Sequence, residues 1–233
     1  MNEIKNSTLE VGAFEEGRVL LIDKPLRCTS FDVIGKIRNI TGIRKVGHAG
    51  TLDPLATGLL IICTGKFTKK INEYMAREKE YTGTFTLGAT TPTYDLEVEP
   101  VNFKSTDGIT DEMIRNTALP FTGEILQVPP AHSAIKIGGK RAYESARQGI
   151  EVKIPPRKIT IKEFEITKIE MPVVHFRVVC TTGTYIRSLA NDFGEALGCG
   201  AYLSSLCRTR IGEFKLSDGM TIDEFAASVN SVL

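Results

Sequence analysis

The chain has no long apolar run, no tryptophan and only three histidines. A membrane-spanning helix needs about 20 consecutive apolar residues, and no stretch of the sequence approaches that length. The segment Met1–Glu16 is polar and lacks the apolar centre of a signal peptide. These absences predict a cytoplasmic protein that is not inserted in a membrane.

Cysteine and histidine are too sparse and too scattered for a disulfide framework or a zinc site. The cysteines are five, an odd number, and none forms a CxxC pair: Cys28, Cys63, Cys180, Cys199 and Cys207. The histidines form no HxxxH pair: His48, His132 and His175. We therefore expect reduced, mostly buried thiols and no metal.

Charge of one sign is not in excess either, since 29 Lys and Arg stand against 28 Asp and Glu. With 42% hydrophobic residues the chain can form a core, which excludes a highly charged disordered protein. It lacks a P-loop, a GxGxxG after a strand, an HExxH and a GxSxG motif. The enzyme classes that depend on those motifs are excluded.

The charges are segregated along the chain. Lys136–Lys158 holds seven basic residues and two acids, for a net charge of +5, and Val33–Leu52 has four basic residues and no acid. Asp95–Glu124 carries −5 and Ile211–Leu233 carries −3. Such a distribution can present a basic face to a polyanion. Ordinary solvated surface without a partner is the favoured explanation when the charge pattern is taken alone.

Hydrophobic periodicity predicts a mixed α/β protein with considerable antiparallel sheet. The predicted strands are Arg18–Asp23, Leu59–Ile62, a strand containing Tyr81–Leu87, Ile159–Ile169 with a bulge near Phe164, and Val173–Cys180. The predicted helices run from Thr29 or Ser30 to Ile40, over Phe67–Arg77, over Thr110–Leu119, over Thr184–Leu197, and onward from a capping box at Thr221–Glu224.

The segment Gln127–Pro156 is bounded by two Pro-Pro pairs and contains a Gly-Gly pair within its basic stretch. This composition predicts an insertion that packs little of itself into the core, which is typical of a binding loop. Within it we predict a short helical piece over Arg141–Gln148.

The loop Gly47–Gly58 combines three glycines with His48 and Asp53. Glycine lets the backbone approach a ligand closely. The apolar neighbours of Asp53 would make its charged form costly unless a cation pairs with it. An ordinary Asp-Pro turn explains the bare pattern equally well.

Two further positions are candidates for chemistry. Arg187 falls in the first turn of its predicted helix, where a cation opposes the helix dipole by about 0.3–1 kcal/mol. This placement suggests an anionic partner, although an exposed arginine without a partner is the alternative. Tyr81 lies on the apolar side of its strand, where tyrosine usually belongs to the core.

Five sequence blocks resemble the TruB family of pseudouridine synthases. The most specific is GHAGTLDPLATGLL, which resembles the family's catalytic-aspartate motif. The others resemble its Lys-Pro motif (LIDKPLRCTSFD), its tyrosine motif (EKEYTGTFTLGATTPTYD), its RNA-binding insertion (PPAHSAIKIGGKRAYESARQG) and its arginine motif (GTYIRSLANDFGEALGCGA). They occur in the family's order and span about Leu20–Phe214. Departures at Arg27, Cys28, Thr91–Thr93 and His132 leave every catalytic position in place.

The resemblance implies the pseudouridine synthase fold, an α+β fold with a largely antiparallel mixed sheet, a central cleft and a basic RNA-binding insertion. It implies conversion of uridine 55 in the T-loop of tRNA to pseudouridine, without a cofactor or metal. The implied partner is the T-arm stem-loop, and we expect the protein to be a monomer. A synthase acting on another RNA and a tRNA-binding folding factor are the alternatives.

Roles for individual residues follow from the same resemblance. Asp53 is the carboxylate that attacks the uridine, Tyr81 stacks on the base and assists proton transfer, and Arg187 pairs with Asp53. His48 helps to stabilise the flipped RNA loop, and Lys24 is a supporting residue of the Lys-Pro motif. The basic residues of the insertion that are expected to bind substrate are Lys136, Lys140, Arg141 and Arg147.

We expect a single catalytic domain over residues 1–233. It contains the insertion at 127–156 and a short acidic tail at 215–233. Only 19 residues follow Phe214, so no C-terminal domain of the PUA type is expected.

Overall fold

The computed structural model describes residues 11–133, 135–137, 139–142, 148 and 153–230. The chain divides into two compact units, Met1–Lys79 with Cys207–Leu233, and Glu80–Leu206. The expectation of a single catalytic domain stays a prediction. Among the described residues, no helix has the length and apolar character needed to cross a membrane.

The first unit contains six helices and strands before the second unit begins and two more after it. In chain order these are α1 (Val11–Glu16), β1 (Val19–Lys24), α2 (Ser30–Thr41), β2 (Val46–His48), β3 (Ala56–Thr64), α3 (Ile71–Met75), β11 (Phe214–Lys215) and α6 (Ile222–Asn230). Both β1 and β2 pair antiparallel with β3.

The second unit is built mainly from long antiparallel strands. Its elements are β4 (Lys79–Leu87), α4 (Asp111–Ala118), β5 (Gly123–Gln127), β6 (Lys136–Ile137), β7 (Lys140–Arg141), β8 (Arg157–Glu170), β9 (Val173–Cys180), α5 (Ile186–Ala196) and β10 (Ala201–Ile211). Its strand order is β10-β4-β9-β8-β5, with β6 and β7 as a separate hairpin. The last residues of β10, Cys207–Ile211, belong to the first unit.

Strand β3 is the centre of the first unit because both of its faces are buried. Leu60 and Ile62 pack in the cluster formed with α2 and α6. Leu59, Ile61 and Cys63 pack on the opposite side in a second cluster. A strand buried on both faces reads as a continuous apolar run, and β3 is such a run.

The core of the second unit is aromatic. Phe85 of β4 stacks on Phe176 of β9, with ring centroids 4.2 Å apart. Phe193 of α5 meets Phe85 at 5.6 Å and Phe164 of β8 at 5.8 Å. These rings fix α5 on the sheet and thereby position the start of that helix.

Local signals predicted several boundaries correctly. The Thr29 side chain caps α2 and forms a capping box with Asp32, and Gly42 ends the helix with φ of 71°. The box at the last helix is also confirmed, since the amide of Thr221 donates to Glu224 and the amide of Glu224 donates to the Thr221 hydroxyl. The predicted bulge is confirmed by shifts in the β8–β9 register on both sides of Phe164. All five cysteines are free, and all except the half-buried Cys207 are buried.

Other elements differ from the predictions. The helix predicted over Phe67–Arg77 is a 3-10 helix at Gly65–Lys70 followed by the short α3. Arg141, predicted to start a helical piece, belongs instead to β7, and residues 143–147 lie outside the described residues. The strands β2, β5 and β10 were not predicted.

Candidate active site

Asp53 lies in the loop that joins β2 to β3. The amide of Ala56 donates to the Asp53 carbonyl at 3.1 Å, which closes a turn around Pro54. Ser30 holds this loop, because the amide of Leu52 donates to the Ser30 Oγ at 2.9 Å and that hydroxyl donates to the Leu52 carbonyl at 3.1 Å. The Asp-Pro turn therefore exists, and it carries a half-buried carboxylate.

Lys24, at the end of β1, is fully buried. Its ammonium donates to the carbonyl oxygens of Pro25, at 3.0 Å, and Cys28, at 2.5 Å, and so holds the turn between β1 and α2. Burial lowers the pKa of Lys24, whereas Cys28 and Asp53 act to raise it. The interaction is mutual, so the Lys24 charge favours the ionised form of Asp53. Direct contact of Lys24 with substrate stays a prediction.

Arg208 of β10 is a buried cation that the sequence analysis missed. Its side chain is 1% exposed, and its guanidinium donates to the carbonyl oxygens of Leu59, at 2.8 Å, and Gly50, at 3.1 Å. No periodic signal marks it, because it lies in a polar stretch of β10. Its contacts tie β10 to both ends of the Asp53 loop.

Gly58 of the Asp53 loop makes room for the protein's own backbone. A Cβ on Gly58 would lie 2.5 Å from the carbonyl oxygen of Arg208, and Gly58 has φ of 97°. The expected close approach is therefore present at Gly58, but the approaching group is β10 and not a ligand. This close approach brings the Arg208 guanidinium within reach of the loop.

His48, at the end of β2, is half-buried. Burial is the main cause that lowers the pKa of His48, the positive charge of Arg208 lowers it further, and the Gly50 backbone partly opposes the shift. His48 is therefore neutral at pH 7, and a neutral imidazole donates with one nitrogen and accepts with the other. Its role toward RNA stays a prediction.

The second unit carries Tyr81 and Arg187. Tyr81 is 9% exposed in β4. Arg187, the second residue of α5, is also buried; its Nε lies 3.7 Å from the Oδ2 of Asp95, and its guanidinium donates to the carbonyl oxygens of Thr93 and His132. The exposed-arginine alternative is therefore wrong, and the expected anionic partner is a carboxylate. Pairing with Asp53 stays a prediction.

The start of the insertion is firmly attached to α5. The side chain of Gln127 donates to the Tyr185 carbonyl and accepts from the Tyr185 amide, at 3.0 and 2.8 Å. The Ser188 hydroxyl donates to the Val128 carbonyl at 2.7 Å. Gln127 is 1% exposed, so this end of the insertion packs more closely than predicted.

The basic residues of the insertion are placed only in part. Lys136 lies in β6 and pairs in register with Arg141 of β7, while Lys140 pairs with Ile137. Arg147 lies outside the described residues. Substrate binding by these four basic positions stays a prediction.

The comparisons with known proteins agree with this arrangement. The family model "TruB family pseudouridylate synthase (N terminal domain)" matches residues 38–186, and "tRNA pseudouridylate synthase B C-terminal domain" matches residues 187–232. A tRNA pseudouridine synthase B from Flavobacterium johnsoniae is 54% identical over 221 residues, covering 92% of this chain and 96% of the relative. One from Bacteroides fragilis is 51% identical over 219 residues, covering 91% and 94%.

Solved structures give the same architecture. A chain of a Cbf5-Nop10-Gar1 complex matches with a TM-score of 0.72 at 30% identity, covering 94% of this chain and 56% of that one. A chain of an H/ACA RNP bound to a substrate RNA containing 2'-deoxyuridine matches with a TM-score of 0.69 at 28% identity, covering 94% and 55%. This chain thus spans little more than half the length of those solved chains.

The fold and the matched motifs define a pseudouridine synthase, a class of enzyme that acts on RNA. Within that class, the chain belongs to the TruB family. The predicted family and the predicted α+β fold class are confirmed.

Proposed function

We propose that this protein converts uridine 55 in the T-loop of tRNA to pseudouridine, acting as a monomer in the cytoplasm. The observation that carries the proposal is the Asp53 loop, a half-buried carboxylate backed by the buried cations Lys24 and Arg208. The comparisons also support the proposal, because relatives that are 50% identical or more are named tRNA pseudouridine synthase B. We prefer tRNA to another RNA for that reason.

The proposed chemistry is an isomerisation that begins at the Asp53 carboxylate. The N1–C1′ glycosidic bond of the uridine breaks and a C5–C1′ bond forms; C5 loses its proton and N1 gains one. Atoms and electrons balance within the substrate, so no co-reactant is consumed. An ionised carboxylate is the form required for attack, and the charge of Lys24 favours it.

The uridine must leave its stack before Asp53 can reach it. We assign Tyr81 to the face of the flipped base and to the proton transfer, and we assign His48 to the RNA loop from which the base has moved. A neutral imidazole suits that task because it forms directional hydrogen bonds without adding a charge. By resemblance to the family we assign Arg187 as the partner of the Asp53 carboxylate; in the structure its Nε lies 3.7 Å from Asp95 Oδ2.

The test uses tRNA labelled with tritium at C5 of uridine. Turnover releases the label to water, because C5 exchanges its hydrogen for a carbon–carbon bond. We expect one equivalent released per tRNA by the wild-type protein and none from a transcript in which uridine 55 is replaced by cytidine. Tritium release from the cytidine transcript would show that the protein modifies a uridine at another position.

Two further arms separate the alternatives. A ribosomal RNA fragment labelled in the same way should release no tritium, and release from it in preference to tRNA would favour a synthase for another RNA. A protein that binds and refolds tRNA but releases no label would be a folding factor. Light scattering during size-exclusion chromatography measures the molar mass and so tests whether the protein is a monomer.

A further inference from the structure

The ring of Phe31 is the most exposed aromatic group of the first unit, with 67% of the residue accessible. It is the second residue of α2 and follows directly on Ser30, which is 2% exposed. A single exposed apolar residue needs no explanation by itself. What distinguishes Phe31 is its position relative to the Asp53 loop and to basic side chains.

Three hydrogen bonds join the start of α2 to the Asp53 loop. Two are exchanged between Ser30 and Leu52, and in the third the amide of Arg27 donates to the Pro54 carbonyl at 2.8 Å. Phe31 and Asp53 are the residues that follow Ser30 and Leu52. Standard bond lengths then limit the separation of their Cα atoms to about 14 Å. The helix start that carries Phe31 is therefore attached directly to the loop that carries Asp53.

The helix start is capped by a reciprocal pair of hydrogen bonds. The Asp32 carboxylate accepts from the Thr29 amide at 2.9 Å, and the Thr29 hydroxyl accepts from the Asp32 amide at 3.0 Å. Lys24 holds the preceding turn from inside the protein. Phe31 is thus presented on a fixed support, which reduces the entropy lost when a planar group stacks on it.

The surroundings of the ring are basic. The segment Arg27–Lys45 contains five basic residues and one acid, Asp32, for a net charge of +4. The guanidinium of Arg38 lies 5.9 Å from the centroid of the Phe31 ring. An exposed aromatic ring with a cation beside it and basic neighbours is the combination with which proteins hold unpaired nucleotides.

We propose that Phe31 is a stacking platform for an unpaired base of the RNA substrate, close in the RNA strand to the uridine that enters the active site. The inference rests on the proposed function, because that function identifies the group stacked on Phe31 as a base of the single-stranded T-loop. The positive charge around Phe31 and its proximity to Asp53 favour a nucleotide over an apolar protein partner. Basic side chains around the ring would not stabilise an apolar partner.

The first test compares binding and turnover of Phe31 variants on a T-arm stem-loop. Phe31→Ala should raise Kd about tenfold and leave kcat at saturation unchanged, because the ring contacts RNA but not the reacting atoms. Phe31→Leu should behave as Phe31→Ala does, whereas Phe31→Tyr should retain wild-type affinity. Phe103→Ala is the control, since Phe103 is 77% exposed but lies within the acidic segment Asp95–Glu124.

The second test uses the absence of tryptophan from the chain. Phe31→Trp introduces a single tryptophan, and we expect its emission to be quenched by the stem-loop and unaffected by a duplex that lacks the loop. Phe103→Trp should respond to neither. Wild-type affinity in Phe31→Ala, or a Phe31→Trp emission unaffected by the stem-loop, would overturn the proposal.

The outcome is distinguishable from failure of the proposed function. If the wild-type protein releases no tritium from tRNA, the proposed function fails whatever Phe31 does. If tritium is released and the Phe31 variants bind normally, only the stacking proposal fails. A melting temperature within about 2 °C of wild type, expected for an exposed side chain, excludes misfolding as the cause of lost affinity.

Discussion

Arg187 and Asp95 form a buried ion pair, with the arginine Nε 3.7 Å from the aspartate Oδ2 and both side chains less than a tenth exposed. A buried charge that loses its counter-charge is costly, so the pair constrains the start of α5 strongly. Asp95 also accepts from the Glu97 amide at 3.0 Å, which orients its carboxylate.

Removing the Asp95 carboxylate should therefore destabilise the protein. We expect Asp95→Ala to lower the free energy of unfolding by about 3–5 kcal/mol, measured by urea denaturation. Glu124→Ala is the matched control, since its ion pair with Lys158 is exposed and should contribute less than about 1 kcal/mol. Equal effects of the two substitutions would contradict a special role for the buried pair.

Asp53→Asn should separate binding from chemistry. The amide has nearly the shape of the carboxylate but cannot act as the nucleophile, so tritium release should fall by at least about 1,000-fold. The Kd for tRNA should change by less than about threefold. Asp107→Asn, a change at an exposed loop carboxylate, should affect neither quantity, and turnover near the wild-type rate in Asp53→Asn would remove Asp53 from the mechanism.

The Arg208 charge should be visible in the titration of His48. Burial first, and then Arg208, lower the pKa of His48, so replacing Arg208 by Met should raise that pKa. Nuclear magnetic resonance can follow the titration, because the chain has only three histidines. An unchanged His48 pKa in a folded Arg208→Met protein would show that the two side chains are electrically independent.

The same shift sets a pH dependence of stability. Because the folded pKa of His48 lies below its unfolded value of about 6.5, the unfolded chain binds more protons in acid. The contribution of His48 to stability is therefore complete above pH 6.5 and is lost as the pH falls toward the folded pKa. Wild-type protein should lose more stability than His48→Gln between pH 7 and pH 5.

Gly58→Ala should disrupt the approach of β10 to the Asp53 loop. The added Cβ would meet the Arg208 backbone, so we expect a loss of more than about 3 kcal/mol in unfolding free energy and a large loss of turnover. Gly108→Ala is a close control, because Gly108 also has positive φ, at 81°, but has no atom within 4 Å of the added Cβ. The difference between the two variants measures the steric contact alone.

Predictions that rest on local chemistry were accurate in this chain. The start of α2 was predicted at Thr29 or Ser30 from capping residues alone, and Thr29 is the residue that caps the helix. The phase change near Phe164 is also local, and the bulges lie where it occurs. Asp53 could be nominated as the reacting carboxylate because its motif is contiguous in sequence, and its role stays a prediction.

Features that depend on distant partners were missed. Strand β10 carries Ser204, Ser205 and Arg208, which reads as polar loop, although the Ser204 hydroxyl donates to the Thr84 carbonyl of β4. Arg208 is buried because the carbonyl oxygens of Leu59 and Gly50, about 150 positions earlier, satisfy it. Asp95 gave no signal, since its partner Arg187 is remote in sequence. The structure at such positions depends on contacts with residues that are distant in sequence, and hydrophobic periodicity does not indicate those contacts.

Ser30 and Phe31 are adjacent in sequence and face opposite surroundings, one bonded to Leu52 and the other open to solvent. On the stacking proposal, exchange of the Phe31 ring for another side chain would alter the choice of RNA, while the serine beside it continues to hold the Asp53 loop. We expect residues at position 31 to vary among descendants of this protein that acquire new substrates, with position 30 kept small and hydroxylated. At the start of α2, a position that can change, Phe31, therefore lies next to one that must be retained, Ser30.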